Sequence, residues 1–425
     1  MNSIVEPTQA QLDNLVKPYL KVQSSGLGFA IGYASPRFRN HGSIYFAGSV
    51  QNQFGAPLGL NRDTLFEVAS ISKTFTATLY ALFIRSHSST LGDFIHPKGP
   101  LRIRSSLAGI PLDSLMNYTS GLPQDNDDGA VDTPPYWPQP YSELGMLSYL
   151  DAAPPSIFPP GKLYRYSNLA FAIMASILGA KGGTSKPGPQ HFEKLMREGI
   201  FEPLLMQSTF FDKVSLAQLP LGYNYDYARK PAKLPYAAAT SGWPFFPAYF
   251  GTGGIVASPN DMWQWLLFNM GITQNRVLSP LLPSLQSPST TVEWEHNQLG
   301  LGWFIRLAEP GWSPSIWKDG DLAGFNSYIA FLPSPNPGTV ASQAGVFVLA
   351  NADGITDIQT NDGIEFNCQR SPADYAGANA AWTNQYIPGR STQPPQAGVK
   401  PEAEGWLCHM RTSDNRGPFC LPISA

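Results

Sequence analysis

Charge is scarce in this 425-residue chain. Only 14% of its residues are Asp, Glu, Lys or Arg, 28 basic against 31 acidic, for a net charge of −3. The basic residues are scattered. With no basic run and no interleaving of basic and aromatic residues, the chain carries no nucleic-acid footprint. No stretch reaches 18 apolar residues, so no membrane-spanning helix is expected. The start, MNSIVEPTQAQLDNLVKPYL, is polar and lacks the basic head and apolar middle of a signal peptide. A cytoplasmic location is therefore expected unless a leader has been removed, in which case the protein is periplasmic or secreted. Cysteine is nearly missing: Cys368, Cys408 and Cys420 are the only three, all late in the chain. A Cys408–Cys420 disulfide and free thiols both stay open, because spacing does not establish pairing.

Several signatures of chemistry are also missing. There is no GxSxG elbow, no HExxH, no GxGxxG and no GxxxxGK[ST]. Nucleotide chemistry and helix-borne metal ligands are thus unsupported. The six histidines, His41, His87, His96, His191, His296 and His409, stand far apart. Only the fold could assemble one of them into a triad. The acidic group Asp125, Asp127 and Asp128 reads as a solvated loop rather than a metal site.

What is present is an ordinary core with many ordered loops. Hydrophobic residues make up 43% of the chain, beside 39 Gly and 40 Pro, too apolar for disorder. A polar helix is expected from Gln9 to Lys17. Two strand-like runs follow, GLGFAIGYA from Gly26 and SIYFAGSV from Ser43, which read as an antiparallel pair. Apolar positions Ile71, Phe75, Leu79 and Leu82 predict a helix beginning near Ser70. Further helices are expected from Asn168 and from Pro259 to Asn269, the latter with proline at a tolerated first-turn position. Aromatics crowd the stretch from Tyr223 to Tyr249, as cleft lining or core. Strand-like runs return at GLGWFIRL from Gly300, SYIAFLP from Ser327 and GVFVLAN from Gly345.

Strands at both ends with helices between them predict one antiparallel sheet, from about 20–60 and 298–352, with a helical region inserted over about 75–297. Residues 1–354 then form one domain. The stretch 355–425, rich in Pro, Gly, Asn and Gln, is an atypical extension of linker-like composition.

Three short stretches carry candidate chemistry. Ser70-Ile71-Ser72-Lys73 puts a hydroxyl and an amine at i and i+3, on one face of a helix. A partly desolvated lysine can lose its proton near neutral pH, accept the serine proton and activate Ser70 for attack on a carbonyl. The backbone N–H of Ser70, at a helix start, supplies half of an oxyanion hole. Tyr166-Ser167-Asn168 immediately precedes the apolar run NLAFAIM. A tyrosine oxygen beside a lysine ammonium could pass a proton to a leaving group, and Asn168 could hold Lys73 or a substrate amide. Lys318-Asp319-Gly320 precedes GFNSYIAFLP. Gly320 permits close backbone approach, and Lys318 offers positive charge for a carboxylate or developing anion. Each stretch alone has a plain structural reading: a surface helix, a capped core tyrosine, a charged turn.

Taken in order, LFEVASISKTFTATL, LMNYTSGLP, FPPGKLYRYSNLAFAIM, GTGGIVASPNDMWQWL and WKDGDLAGFNSYIAFLP followed by GVFVLANADG resemble the serine β-lactamase and penicillin-binding-protein superfamily. The branch they most resemble is that of class C β-lactamases and related esterases. The resemblance runs from about Gln9 to Gly354. It implies an α/β sandwich with an inserted helical domain, and acyl-enzyme chemistry: Ser70 attacks, Lys73 and Tyr166 move protons, and the N–H groups of Ser70 and Asp321 form the oxyanion hole. Asn168, Lys318 and Gly320 would orient a small-molecule amide or ester. No metal or organic cofactor is implied, and the assembly expected is a monomer or small homo-oligomer.

The chain also departs from that family. Its third motif usually reads Lys-Thr-Gly or His-x-Gly, and here Asp319 stands in the middle. An acidic group there would repel a β-lactam carboxylate if it points inward. Asp321 would narrow the site where a small residue is usual. β-Lactamase-like amide hydrolysis is the leading expectation. Esterase, D-aminopeptidase, amidase or acyltransferase, and non-catalytic alternatives stand beside it.

Overall fold

The computed structural model describes residues 3–22, 26–84, 89–94, 105–124, 146, 149–150, 158–181, 189–211, 215, 217–225, 231–233, 249–294, 297–307, 314–322, 324–334, 342–353 and 423–424. The three cysteines, the acidic group at 125–128, His87, His96, His296 and His409 lie outside the described residues, as does nearly all of the 355–425 stretch. Ile423–Ser424 pairs antiparallel with Ser3–Ile4. Most of the aromatic stretch from 223 to 249 is likewise outside them. Its two ends, Tyr223 and Tyr249, are buried in the core.

One eight-stranded sheet organises the molecule. In chain order its strands are β1 (Gly28–Ala34), β2 (Gly42–Gly48), β3 (Glu293–Trp294), β4 (Asn297–Leu299), β5 (Phe304–Arg306), β6 (Ser315–Leu322), β7 (Phe325–Phe331) and β8 (Gly345–Ala350). Their spatial order is β3-β4-β5-β6-β7-β8-β1-β2. Every neighbouring pair is antiparallel. The early hairpin therefore completes a sheet otherwise built from the last third, the mixed antiparallel architecture expected. β1, β7 and β8 are buried along their whole length, which explains the near-continuous apolar runs of β1 and β8 in place of alternation.

Among the described helices are α1 (Gln9–Val22), α2 (Ser72–Phe83), α3 (Asn168–Lys181) and α4 (Pro259–Asn269), with the helix Pro189–Met196 and shorter turns between α3 and α4. α4 spans the residues expected. Ser258 caps it by accepting from the Asp261 N–H at 3.2 Å, with Pro259 in the first turn. α1 runs on past Pro18 to Val22, further than its local sequence suggests. Leu12, Val16 and Tyr19 are buried along it, and that packing overrides local propensity.

Residues 72–80 of α2 are all buried. Phe75 stacks on Trp265 of α4, ring centroids 3.8 Å apart at 16°. α4 in turn lies on the sheet: a Cβ on Gly345 of β8 would sit 2.5 Å from the Met270 sulfur and 2.9 Å from Leu266. Gly300–Trp303, expected as strand, is instead a turn closed by the Gly300 N–H donating to the Trp303 carbonyl at 3.0 Å. Gly302 (φ +77°) lies against the α2 backbone, where a Cβ would stand 2.9 Å from the Lys73 carbonyl. A side chain there would push the turn off the helix. Among the described residues no helix is long and apolar enough to cross a membrane.

Candidate active site

The site forms where the head of α2, the entry to α3 and strand β6 converge. Phe66–Glu67 enters the α2 head as a short strand paired with Val256–Ala257, which also pairs with Thr209–Phe210. The Val68 N–H donates to the Ile255 carbonyl at 3.0 Å. Ala69 then takes φ +46°, left-handed although it carries a Cβ, a conformation that persists only where its surroundings enforce it. Ala69–Ile71 forms a 3-10 turn and the α-helix starts at Ser72. The nucleophile candidate thus sits on the turn before the helix, not in its first α-turn as expected. The i, i+3 relation survives, because side chains three apart also align in a 3-10 turn.

Ser70, Lys73 and Tyr166 meet. The Ser70 Oγ accepts from the Lys73 Nζ at 2.8 Å and from the Tyr166 hydroxyl at 2.8 Å. Lys73 is fully buried, and its Nζ also donates to the Thr252 carbonyl at 2.9 Å. Tyr166 and Ser70 are half-buried.

The entry to α3 holds Tyr166. Ser167 caps the helix by accepting from the Ala170 N–H at 3.0 Å and donates to the Pro123 carbonyl at 2.6 Å. The Asn168 N–H donates to the Gln124 carbonyl at 2.7 Å. Beyond it Leu169, Phe171 and Ile173 are wholly buried, each worth about 1.5–3 kcal/mol, so the helix start is anchored. Tyr118 stacks on Tyr166 (5.5 Å, 10°) and on Phe304 (4.9 Å, 12°). Its hydroxyl donates to the Gly302 carbonyl at 3.0 Å. Burial holds the Tyr118 phenol well above its ordinary range, with smaller contributions from Tyr166, Tyr164 and Asp319. It is a neutral support for the ring beside Ser70.

Strand β6 closes the site. A Cβ on Gly320 would collide with the Ser327 hydroxyl and stand 2.5 Å from the Val68 carbonyl and 3.0 Å from the Ser70 nitrogen. Only glycine lets this strand lie against the nucleophile turn. Lys318-Asp319-Gly320 lies within the strand, not in a turn before it, with Gly320 opposite Ser327 on β7. Lys318 is buried, and its Nζ lies 5.4 Å from the ring centres of both Tyr166 and Phe304. The Lys73 Nζ lies 4.9 Å from the same Tyr166 ring. Two ammonium groups thus lie near one aromatic ring, within the range of cation–π attraction.

Lys318 was expected to supply positive charge for a carboxylate or developing anion; its Nζ donates to the Asp319 carboxylate and to the Asp319 carbonyl, each at 2.7 Å. Asp321, expected to narrow the site, is exposed, and its carboxylate accepts from the Asn326 side-chain amide at 2.7 Å. Thr252 was missed: its carbonyl holds Lys73, and its hydroxyl donates to the Asn168 carbonyl at 2.8 Å. The GTGG stretch that contains it carries the family likeness, but a backbone acceptor leaves no mark in a side-chain pattern.

A serine–lysine–tyrosine cluster of this order beside this sheet defines a class, and comparison with known proteins names the family. The Beta-lactamase family model matches residues 36–364, and the chain belongs to that family. It is 27% identical over 342 residues to the D-alanyl-D-alanine-carboxypeptidase/endopeptidase AmpH of Escherichia coli (strain K12), covering 76% of this chain and 80% of that one. It is 26% identical over 374 residues to a β-lactamase of Pseudomonas fluorescens, covering 80% and 92%. Among solved structures it resembles a β-lactamase/D-alanine carboxypeptidase from Yersinia pestis (TM-score 0.59, 21% identity, covering 81% and 92%). It also resembles an octameric penicillin-binding protein homologue from Pyrococcus abyssi (TM-score 0.62, 18% identity, covering 88% and 77%). These structures support the fold. The relatives are hydrolases of the same family.

Proposed function

We propose that this chain is a serine acyl hydrolase that works through an acyl-enzyme on Ser70. The observation that carries the reading is the pair of 2.8 Å hydrogen bonds joining the Ser70 Oγ to the Lys73 Nζ and the Tyr166 hydroxyl. In the first step the Ser70 Oγ bonds to the acyl carbon. Its proton passes through Lys73 and Tyr166 to the leaving nitrogen or oxygen, and the bond from that atom to the acyl carbon breaks. In the second step a water adds its oxygen to the acyl carbon, the Ser70 ester bond breaks, and a proton returns to the Ser70 Oγ. The N–H groups of Ser70 and Asp321 would receive the oxyanion. Asn168, Lys318 and Gly320 would line the acyl donor's path.

Two substrate classes fit this chemistry. The relatives support β-lactamase-like amide cleavage. The half-buried Tyr166 ring, together with the internally paired Lys318, supports ester cleavage on small acyl groups. The deciding measurement is turnover of nitrocefin and of p-nitrophenyl butyrate by wild type and Ser70→Ala, with mass spectrometry for a trapped acyl adduct. Ser70→Ala is expected to lose on the order of a thousandfold or more in kcat/KM on whichever substrate is turned over, and to lose the adduct. Wild-type turnover by the Ser70→Ala protein would remove the nucleophile assignment.

A further inference from the structure

Asp319 occupies the middle of the third motif, and the function proposed above makes no use of it. The Lys318 side chain is 2% exposed and that of Asp319 is 30% exposed, with Nζ and carboxylate 2.7 Å apart. The lysine folds back along its own strand, so that two of its three N–H groups are directed at Asp319, one to the carboxylate and one to the backbone carbonyl. Such charge-assisted bonds are strong, and separating a desolvated pair is costly. The pair also stands beside the nucleophile. Its ammonium lies 5.4 Å from the ring of Tyr166, whose hydroxyl is bonded to Ser70. Gly320, the next residue, fixes the strand against the Ser70 turn. A substrate carboxylate arriving at this end of the site therefore meets an ion pair, not a lone cation.

We infer that Asp319 is a specificity-determining residue: it neutralises Lys318 inside the site, so the acyl donor is an ester or amide with no carboxylate on its leaving-group side. This rests on the Ser70 acyl-enzyme reading. Asp319 acts through Lys318. A carboxylate that binds must share an ammonium already held by another carboxylate, whose own charge opposes it.

The test uses matched donors, 4-carboxyphenyl butyrate and its 4-carbamoylphenyl counterpart, with the full-length protein. Differences in leaving-group reactivity cancel when variants are compared with wild type. Asp319→Asn and Asp319→Thr are each expected to raise the carboxylate-to-carboxamide ratio of kcat/KM by about tenfold or more, mainly through KM. Asp319→Glu, which keeps the charge, should leave the ratio near wild type. An unchanged ratio in both neutral variants overturns the inference. So does a wild-type KM about tenfold lower for the carboxylate donor. Calorimetric binding of the two donors to the Ser70→Ala protein reads the same preference without turnover. If wild type and Ser70→Ala cleave both esters equally, the acyl-enzyme reading fails, while the binding comparison still decides the role of Asp319.

Discussion

The two buried lysines of the site lie near one tyrosine ring and are held in different ways. Lys73, at the head of α2, is held by a serine hydroxyl and a threonine carbonyl. Lys318, on β6, is held by a carboxylate and a carbonyl of its own neighbour. Neutral oxygens stabilise an ammonium less than a carboxylate does. Under the function proposed above, Lys73 moves a proton at the α2 head, while Lys318 on β6, equally buried, is paired with Asp319.

The sharpest way to break this contrast is to remove each amine in turn. Lys73→Met is expected to lower kcat on the turned-over substrate by about 10²–10⁴-fold, the scale of a general base. Lys318→Met should act mainly on KM, by about tenfold. Steady-state kinetics on the two variants separates them, and equal losses in kcat would erase the distinction. A smaller effect is expected where the two regions touch. Gly320→Ala would place a Cβ against Ser327, Val68 and the Ser70 nitrogen. Relief by backbone shift should cost about 1–3 kcal/mol in urea unfolding and slow acylation, because the shift moves the strand from the nucleophile. An alanine variant as stable and as active as wild type would mean that the close approach is not needed.

The parts legible in the sequence were those written in side-chain periods. The Ser70–Lys73 spacing, the apolar run of α3 and the strands at both ends follow from patterns of two or of three to four, and the start of α4 from its proline. The parts that were not legible have identifiable causes. Adjacent residues on a strand are read as facing opposite ways, so the Lys318–Asp319 pair is invisible to a period of two. It forms because the lysine is long enough to turn back. Ala69 reads as an ordinary helix former, and only the enforced turn gives it φ +46°. Thr252 contributes a carbonyl, which every residue has. The continuation of α1 past Pro18 was decided by burial of Leu12, Val16 and Tyr19, and not by the local sequence.

The smallest expected effect concerns the strand that feeds the nucleophile turn, where the contrast between neutral and charged surroundings can be taken further. Glu67 lies three residues before Ser70, opposite Val256, and is 1% exposed. Neither of its carboxylate oxygens has a hydrogen-bond partner among the described residues. Burial pushes its carboxyl well above the ordinary glutamate range, so the folded protein keeps the proton where the unfolded chain releases it. The contribution to stability is then fully present below about pH 4.5, the ordinary glutamate value. It declines as pH rises toward the folded-state value. Glu67→Gln removes this titration while keeping the shape. Urea midpoints across pH 4 to 9 should show the variant level with wild type at the acid end. At the alkaline end it should be more stable. Parallel curves for the two proteins would mean that Glu67 titrates alike folded and unfolded. The nucleophile turn would then be entered beside a charge, and the neutral setting inferred for the α2 head would not extend to the strand that leads into it.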